Sequence, residues 1–215
     1  TLFAKELGVR VRFVAAPEFN QILPMLQKKQ AHLAAAGLTV TAAREKMVRF
    51  GPSYQTIQQQ VAYSTYALRP EGIKNLIGKR IEVVAGSSYV ERLQALKQQY
   101  PQLAWEEMFQ QESDELLGRV ADGAVDCVVA DSHLIAVAQN FYTNLGVAFD
   151  LGKAEELAWA FPQGGDAELY AKAKEFFARI RQDGTVLRLL DRYYGHLERL
   201  DTADVATFLE KMESV

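Results

Sequence analysis

The chain has 215 residues, of which 49% are hydrophobic and 24% charged, with a formal net charge of −3. These proportions fit a globular protein that buries a sizeable core. They argue against a nucleic-acid binder, which carries a basic patch or stripe, and no run approaches the roughly 20 apolar residues of a membrane span.

In chain order, residues 2–7 read as the end of a helix closed by Gly8. Thr1 opens directly on that pattern, so the chain looks trimmed at its N-terminus, with no signal peptide in view. Residues 9–15 (VRVRFVA) alternate apolar and polar side chains and predict a strand. Residues 19–29 place Phe19, Ile22, Leu23, Met25 and Leu26 at helical spacing. Pro24 falls inside that stretch, which requires a kink or a later start. Residues 32–37 form a short apolar run that predicts a buried strand, and residues 41–48 predict a helix with Thr41 as its N-cap. Residues 55–68 read as a long extended segment crossing between two lobes.

Two strand–turn–helix units follow, at residues 80–85 with 87–99 and at residues 125–130 with 132–140. Such alternation predicts a parallel α/β sheet. The lone Cys127 lies in the apolar run VDCVVAD and reads as a buried, inert thiol. Residues 147–151 and 157–161 predict two more strands. Residues 167–182, 185–194 and 202–212 predict helices, with breaks at Gly184 and Gly195.

Four places can carry chemistry. In Gly37-Leu-Thr-Val-Thr-Ala-Ala-Arg44 a strand ends at a glycine, polar residues follow, and a helix begins. Ligands of α/β sheets gather at such strand ends. Arg44 sits in the first helical turn, where the helix dipole prefers acids, so it needs another partner. That partner is either a ligand carboxylate, which suits its planar fork, or a nearby acid at the surface. In Val83-Val-Ala-Gly-Ser-Ser88 a strand again runs into a helix, so Ser87 and Ser88 are anion-binding candidates or plain caps. Asp131 ends a buried strand and starts a helix, where its carboxylate takes a ligand ammonium or caps the helix. Phe19 and Tyr54 line an apolar pocket or pack in the core. His32, His133 and His196 show no metal-ligand spacing, and His133 beside Ser132 reads as a helix-surface residue. No phosphate-loop, dinucleotide or nucleophile-elbow motif is present, and no cofactor is expected.

Taken together, AKELGVRVRFV, EFNQILPMLQKKQAHLAAAGLTVTAAREKMVRFGPSY, GKRIEVVAGSSYVERL, GAVDCVVADS and QDGTVLRLLDRYYG resemble the family-3 extracellular solute-binding proteins. These are the polar amino-acid receptors of ABC transporters, and the likeness covers most of residues 3–195. GPSYQTIQQQVAYSTYALRP, ADGAVDCVVADS and the tail YGHLERLDTADVATFLEKMES are more narrowly similar to the membrane-bound lytic murein transglycosylase F family. Those enzymes carry such a module ahead of a C-terminal catalytic domain.

The resemblance implies an α/β, two-lobed periplasmic binding protein-like (type II) fold with a hinge and a ligand cleft. Residues 1–57 plus 154–200 would form lobe 1, lacking the family's first strand, and residues 58–153 would form lobe 2. Residues 201–215 would be a linker helix toward an absent catalytic domain. Arg44, Thr39 and the Gly37 backbone would hold a ligand α-carboxylate from lobe 1. Ser87 and the backbone near Ser88 would cover it from lobe 2. Asp131 would take the α-ammonium, and Phe19 would line the side-chain pocket.

The expected partners are an amino acid or peptidoglycan stem peptide and the protein's own catalytic domain. Neither nucleic acid nor membrane is expected to contact this segment, which would not be an enzyme itself. A periplasmic location is expected, with the full-length protein attached to the outer membrane. Three rivals stand beside this reading: a stand-alone ABC-transporter receptor, a prephenate or arogenate dehydratase of the same fold, and an interaction module with an empty cleft.

Overall fold

The computed structural model of the protein describes residues 1–194, and the expected helix at 202–212 and linker at 201–215 lie outside them. Two sheets organise the chain. The smaller contains β1 (Ala34–Thr39), β2 (Val48–Ile57) and β8 (Glu155–Pro162) in the order β1-β8-β2, antiparallel throughout. The larger contains β3 (Gln59–Ser64), β4 (Ile81–Val84), β5 (Glu106–Met108), β6 (Cys127–Asp131) and β7 (Leu145–Asp150) in the order β5-β4-β6-β3-β7. The chain leaves the small sheet at Gln58 and returns across residues 151–154.

The larger sheet is not parallel throughout. β4 pairs in parallel with β5 and β6, but β3 runs against both β6 and β7. β2 passes into β3 through Gln58 with no crossover helix, so β3 enters from the opposite end. A parallel neighbour would need a crossover of a dozen or more residues.

The helices are α1 (Leu2–Glu6), α2 (Ile22–Gln27), α3 (Ala42–Glu45), α4 (Ser88–Lys97), α5 (Ser113–Ala121), α6 (Ser132–Ala138), α7 (Ala167–Gln182) and α8 (Thr185–Tyr194). A 3-10 turn at Phe19–Gln21 precedes α2. Pro24 is therefore the third residue of α2, where its missing N–H would have had no intrahelical partner.

Period-2 alternation divides the larger sheet's core between its faces. Val61, Val83, Cys127 and Val129 meet Leu93 and Leu103 on one face, while Ala62, Val84, Val128 and Ala130 meet Leu116, Leu117 and Ile135 on the other. Each such leucine or isoleucine contributes about 1.5–3 kcal/mol by leaving water. Burial pushes the Cys127 thiol up to about 11, so it stays protonated and inert. The smaller sheet packs Phe161 and Trp159 on Phe3, Phe176 and Phe177, and packs Ala160 on Leu26 and Leu38 across its other face.

Two expected elements differ from what is found. Residues 9–15 form no strand, and Val9, Val11, Phe13 and Val14 are exposed. Their alternation is genuine, but a strand needs a neighbour to satisfy its backbone groups, and no strand among the described residues pairs with them. The buried strand expected at 32–37 lies at Ala34–Thr39 as an edge strand, and only Leu38 and Thr39 are buried.

Candidate functional site

β4 and β6 both end at the side of the larger sheet that faces the smaller one. Ser87 and Ser88 follow β4, Asp131 closes β6, and Gln59 pairs with Asp131 from β3. The backbone ties α6 to the crossing segment, because the Ser132 N–H donates to the Gln58 carbonyl at 2.8 Å and Ser132 Oγ accepts from the Gln58 N–H at 3.2 Å. A cleft of about 770 Å³ opens there, between these strand ends and β1.

Phe19, Gly37, Thr39, Ser87, Ser88 and Asp131 all line the cleft. Ser88 crosses between the lobes: its hydroxyl donates to Thr39 Oγ1 at 3.0 Å and accepts from Gln59 Nε2 at 3.0 Å. Gln59 Nε2 also reaches Glu155 at 2.7 Å, and Glu155 pairs with Arg92 of α4.

Asp131 forms the floor and is 4% exposed. Its N–H donates to the Tyr89 hydroxyl at 3.1 Å. Desolvation pushes its carboxyl up to about 7; Tyr89 opposes that rise, Glu155 adds to it and Arg44 opposes it. Asp131 Oδ1 and Ser87 Oγ are buried with no hydrogen-bond partner among the described residues, and so is His133 Nδ1. Buried side-chain oxygens of Asn20, Gln55, Gln58, Gln59, Gln60 and Gln111 also lack a partner among the described residues; Asp131, Ser87 and His133 differ in lining one cleft, where ligand or solvent can complete them.

Two expected site residues, Arg44 and Tyr54, stand directly behind the lining, with the Arg44 guanidinium 5.9 Å from the ring centroid of Phe19. Arg44 is buried behind the cleft, with all three guanidinium nitrogens engaged. Nη1 donates to the Thr39 carbonyl at 3.2 Å, Nη2 to the Gly86 carbonyl at 3.2 Å, and Nε meets Glu91 at 3.2 Å. Thr41 Oγ1 accepts the Arg44 N–H and fixes the turn that aims it. Arg44 therefore joins the nearby acid of its plainer reading, but it does so in a buried place. Tyr54 stacks on Phe177 at 6.2 Å in the small-sheet core. Only its hydroxyl approaches the site, in a hydrogen bond with the Gly37 backbone, and burial pushes it up to about 12.

His133 is the residue that sequence reading missed. It lines the cleft, is 8% exposed, and packs edge-on against Tyr194 at 5.0 Å. Desolvation lowers it to about 4, so the imidazole is neutral at pH 7. Its place two residues beyond a strand-ending acid was the available signal; Tyr194 arrives from α8 and leaves none locally. The rim at Glu112, Asp114 and Glu115 was missed too, although Glu112 and Glu115 form a reciprocal capping box at α5. Among the described residues no three His, Cys, Asp or Glu side chains gather in a metal-binding group, and no helix is long and apolar enough to cross a membrane.

Gly86 sets the approach of the lobes. It has φ +70°, and a Cβ there would lie 2.6 Å from Asn20 Cβ. Gly37 has φ +62° with nothing within 4 Å. Gly37→Ala is expected to cost about 1–2 kcal/mol of backbone strain. Gly86→Ala should cost more than that, because the Asn20 turn must also retreat. Urea unfolding of both variants gives the comparison, and equal losses would show that the close approach carries no weight.

The pattern of the bacterial extracellular solute-binding proteins, family 3, matches residues 1–196. The chain is 49% identical to a membrane-bound lytic murein transglycosylase F of Methylobacillus flagellatus, over 99% of this chain and 46% of that protein. It is 45% identical to the protein of the same description from Nitrosospira multiformis, over 100% of this chain and 45% of that one. The chain thus spans about half the length of the curated relatives it matches. Among solved structures, an ancestral arginine-binding protein bound to arginine superposes with TM-score 0.78 at 26% identity, covering 90% of this chain and 84% of that one. A cysteine-binding protein from Campylobacter jejuni superposes with TM-score 0.81 at 20% identity, covering 94% and 81%, which speaks to the fold alone.

Proposed function

The chain belongs to the bacterial extracellular solute-binding proteins of family 3, and on that premise we propose that its cleft binds an amino acid or short cell-wall peptide as the sensing module of a peptidoglycan lytic transglycosylase. The observation that carries the binding part is the trio of unpartnered buried atoms, Ser87 Oγ, Asp131 Oδ1 and His133 Nδ1, around one interlobe cleft. The transglycosylase part is supported by relatives about twice the length of this chain.

Asp131 takes the ligand ammonium from the floor. Ser87, Ser88, Thr39 and the Gly37 backbone offer hydroxyls and amide groups to its polar backbone, and Phe19 covers its apolar part. Arg44 and Tyr54 act one step back, holding the Thr39 carbonyl and the Gly37 backbone in place. The module is itself non-catalytic and works in the periplasm, within a protein held at the outer membrane. Ligand favours the closed arrangement of the lobes, and closure alters the neighbouring catalytic domain; such coupling requires different ligand affinity for the two arrangements.

Calorimetry and thermal melting of the purified chain with free amino acids and soluble muropeptides test the binding. Heat release and a raised melting temperature are expected with at least one of them. No heat and no shift with any would overturn the reading.

A further inference from the structure

Ser88 and Arg92 lie four residues apart on α4, so both project from the same side of that helix. There they meet both crossing segments. Gln59 opens β3 just after the first crossing, and Glu155 opens β8 just after the second. Arg92 Nη2 donates to Glu155 Oε1, and Gln59 Nε2 donates to Glu155 Oε2 at 2.7 Å. Gln59 Nε2 also donates to Ser88 Oγ at 3.0 Å, and the Ser88 hydroxyl donates to Thr39 Oγ1 at 3.0 Å. A Cβ at Gly152 would lie 3.0 Å from Arg92 Cζ, so the guanidinium rests against the second crossing where glycine leaves it room.

The bonds run in one direction. The Glu155 carboxylate can only accept, so it turns the Gln59 amide with its NH₂ group inward. The reversed amide would set Gln59 Oε1 against the Glu155 oxygens. Both amide protons are then committed, and Gln59 Oε1 is left buried with no partner among the described residues. Ser88 Oγ carries one proton. Having accepted from Gln59, it sends that proton across the cleft to Thr39 in the other lobe. Gln59 is 2% exposed and Ser88 5%, so water does not screen this chain of bonds, and such chains polarise from link to link.

Deepening the closure part of the proposed function, we infer that Arg92, Glu155, Gln59 and Ser88 form a hinge latch. The acid at the second crossing fixes the direction of the Ser88 proton and, with it, the balance between open and closed lobes. Glu155 and Gln59 are positioning residues, since neither lines the cleft.

Interlobe distances measured without ligand test the latch. Spin labels go on Lys28→Cys in lobe 1 and Glu71→Cys in lobe 2, both exposed, while Cys127 is 0% exposed and is spared. Double electron–electron resonance then compares the parent with Glu155→Gln, Arg92→Met, Ser88→Ala and the Glu155→Gln/Ser88→Ala double variant. Each single change is expected to move the closed-to-open ratio towards open by about fivefold, the size of one hydrogen bond. The double variant should move it no more than about twofold beyond the larger single change, because both break the same chain. Independent bonds would multiply to about 25-fold. A closed distance unchanged in both Glu155→Gln and Arg92→Met, or a double effect equal to that product, would overturn the latch. Circular dichroism checks that each variant folds, and Arg92→Met with Ser88→Ala carries the same cycle if Glu155→Gln does not. No ligand enters these measurements, so a cleft that binds no amino acid or peptide would sink the binding reading and leave this result as it stands.

Discussion

Asp131→Asn is expected to raise stability at pH 8 while weakening ligand binding at least about thirtyfold. The two effects have one source. Asp131 is buried and held at about 7 rather than its ordinary 3.8, chiefly because charging it there means removing a carboxylate from water. Between those two values the folded state holds more protons than the unfolded state, so stability falls as pH rises from about 4 to about 7. Above pH 7 the ionised Asp131 costs the empty protein up to about 4 kcal/mol. Asparagine keeps the shape and the reach to Tyr89 but carries no charge, so the variant escapes that slope. Thermal melts of both proteins should diverge at pH 8 and converge as the pH falls towards 4.

A ligand ammonium reverses the balance, because it favours the ionised form. Affinity of the parent protein should therefore rise with pH up to about 7 and level off above it. Asp131→Asn should show a flat profile, and losing one partner of a buried charge pair costs about 2–5 kcal/mol of binding. A variant that melts no higher at pH 8, or binds with the parent's pH profile, would remove the floor carboxylate from this role. Sites that are strained for binding commonly regain stability when the binding group is neutralised.

This tension also marks how far the sequence is legible. β6 is readable because a strand covered on both faces must be continuously apolar, as CVVA is, and β4 (IEVV) departs from that run only at Glu82, whose buried carboxylate pairs with Arg119 at 2.7 Å. α7 is readable because Ala173, Phe176, Phe177 and Ile180 repeat at helical spacing. The turns at Ser87 and Asp131 stand out because each joins an apolar strand to a helix through a small or polar residue; the strand expected to end at Gly37 instead runs on to Thr39, and the turn lies at Thr41. Other features depend on partners far along the chain. Arg44, set against its helix dipole, does signal a partner, but nothing near it points to Glu91 and Gly86. Residues 9–15 have the alternation of a strand, yet pairing is a property of two segments. His133 looks like a surface residue until the rest of the cleft wall and Tyr194 bury it.

Arg44→Ala is expected to cost about 3 kcal/mol and to let the lobes separate. Arg44 joins Thr39 on the small-sheet side to Gly86 and Glu91 on the large-sheet side, so two of its three bonds cross between lobes. A hydrogen bond with a charged partner contributes about 1.5–3 kcal/mol. The Glu91 side chain is 37% exposed and returns to water when released, so the ion pair itself adds only about 0–1 kcal/mol. The remaining loss comes from the Thr39 and Gly86 carbonyls, of which the buried Thr39 is the harder to resolvate. For a chain of this size about 3 kcal/mol corresponds to a melting shift of roughly 6–12 °C. Glu91→Gln should cost less than about 1 kcal/mol, since the amide oxygen still accepts from Nε. Arg44→Lys should behave like the alanine variant, because one ammonium cannot span three acceptors set by a planar fork. Small-angle scattering should show a larger radius of gyration for Arg44→Ala than for Glu91→Gln. Equal radii and equal melting shifts would mean that the carbonyl clamp contributes nothing to closure. The lobe contacts at Ser88–Thr39 and Arg92–Glu155 would then hold the cleft shut without it.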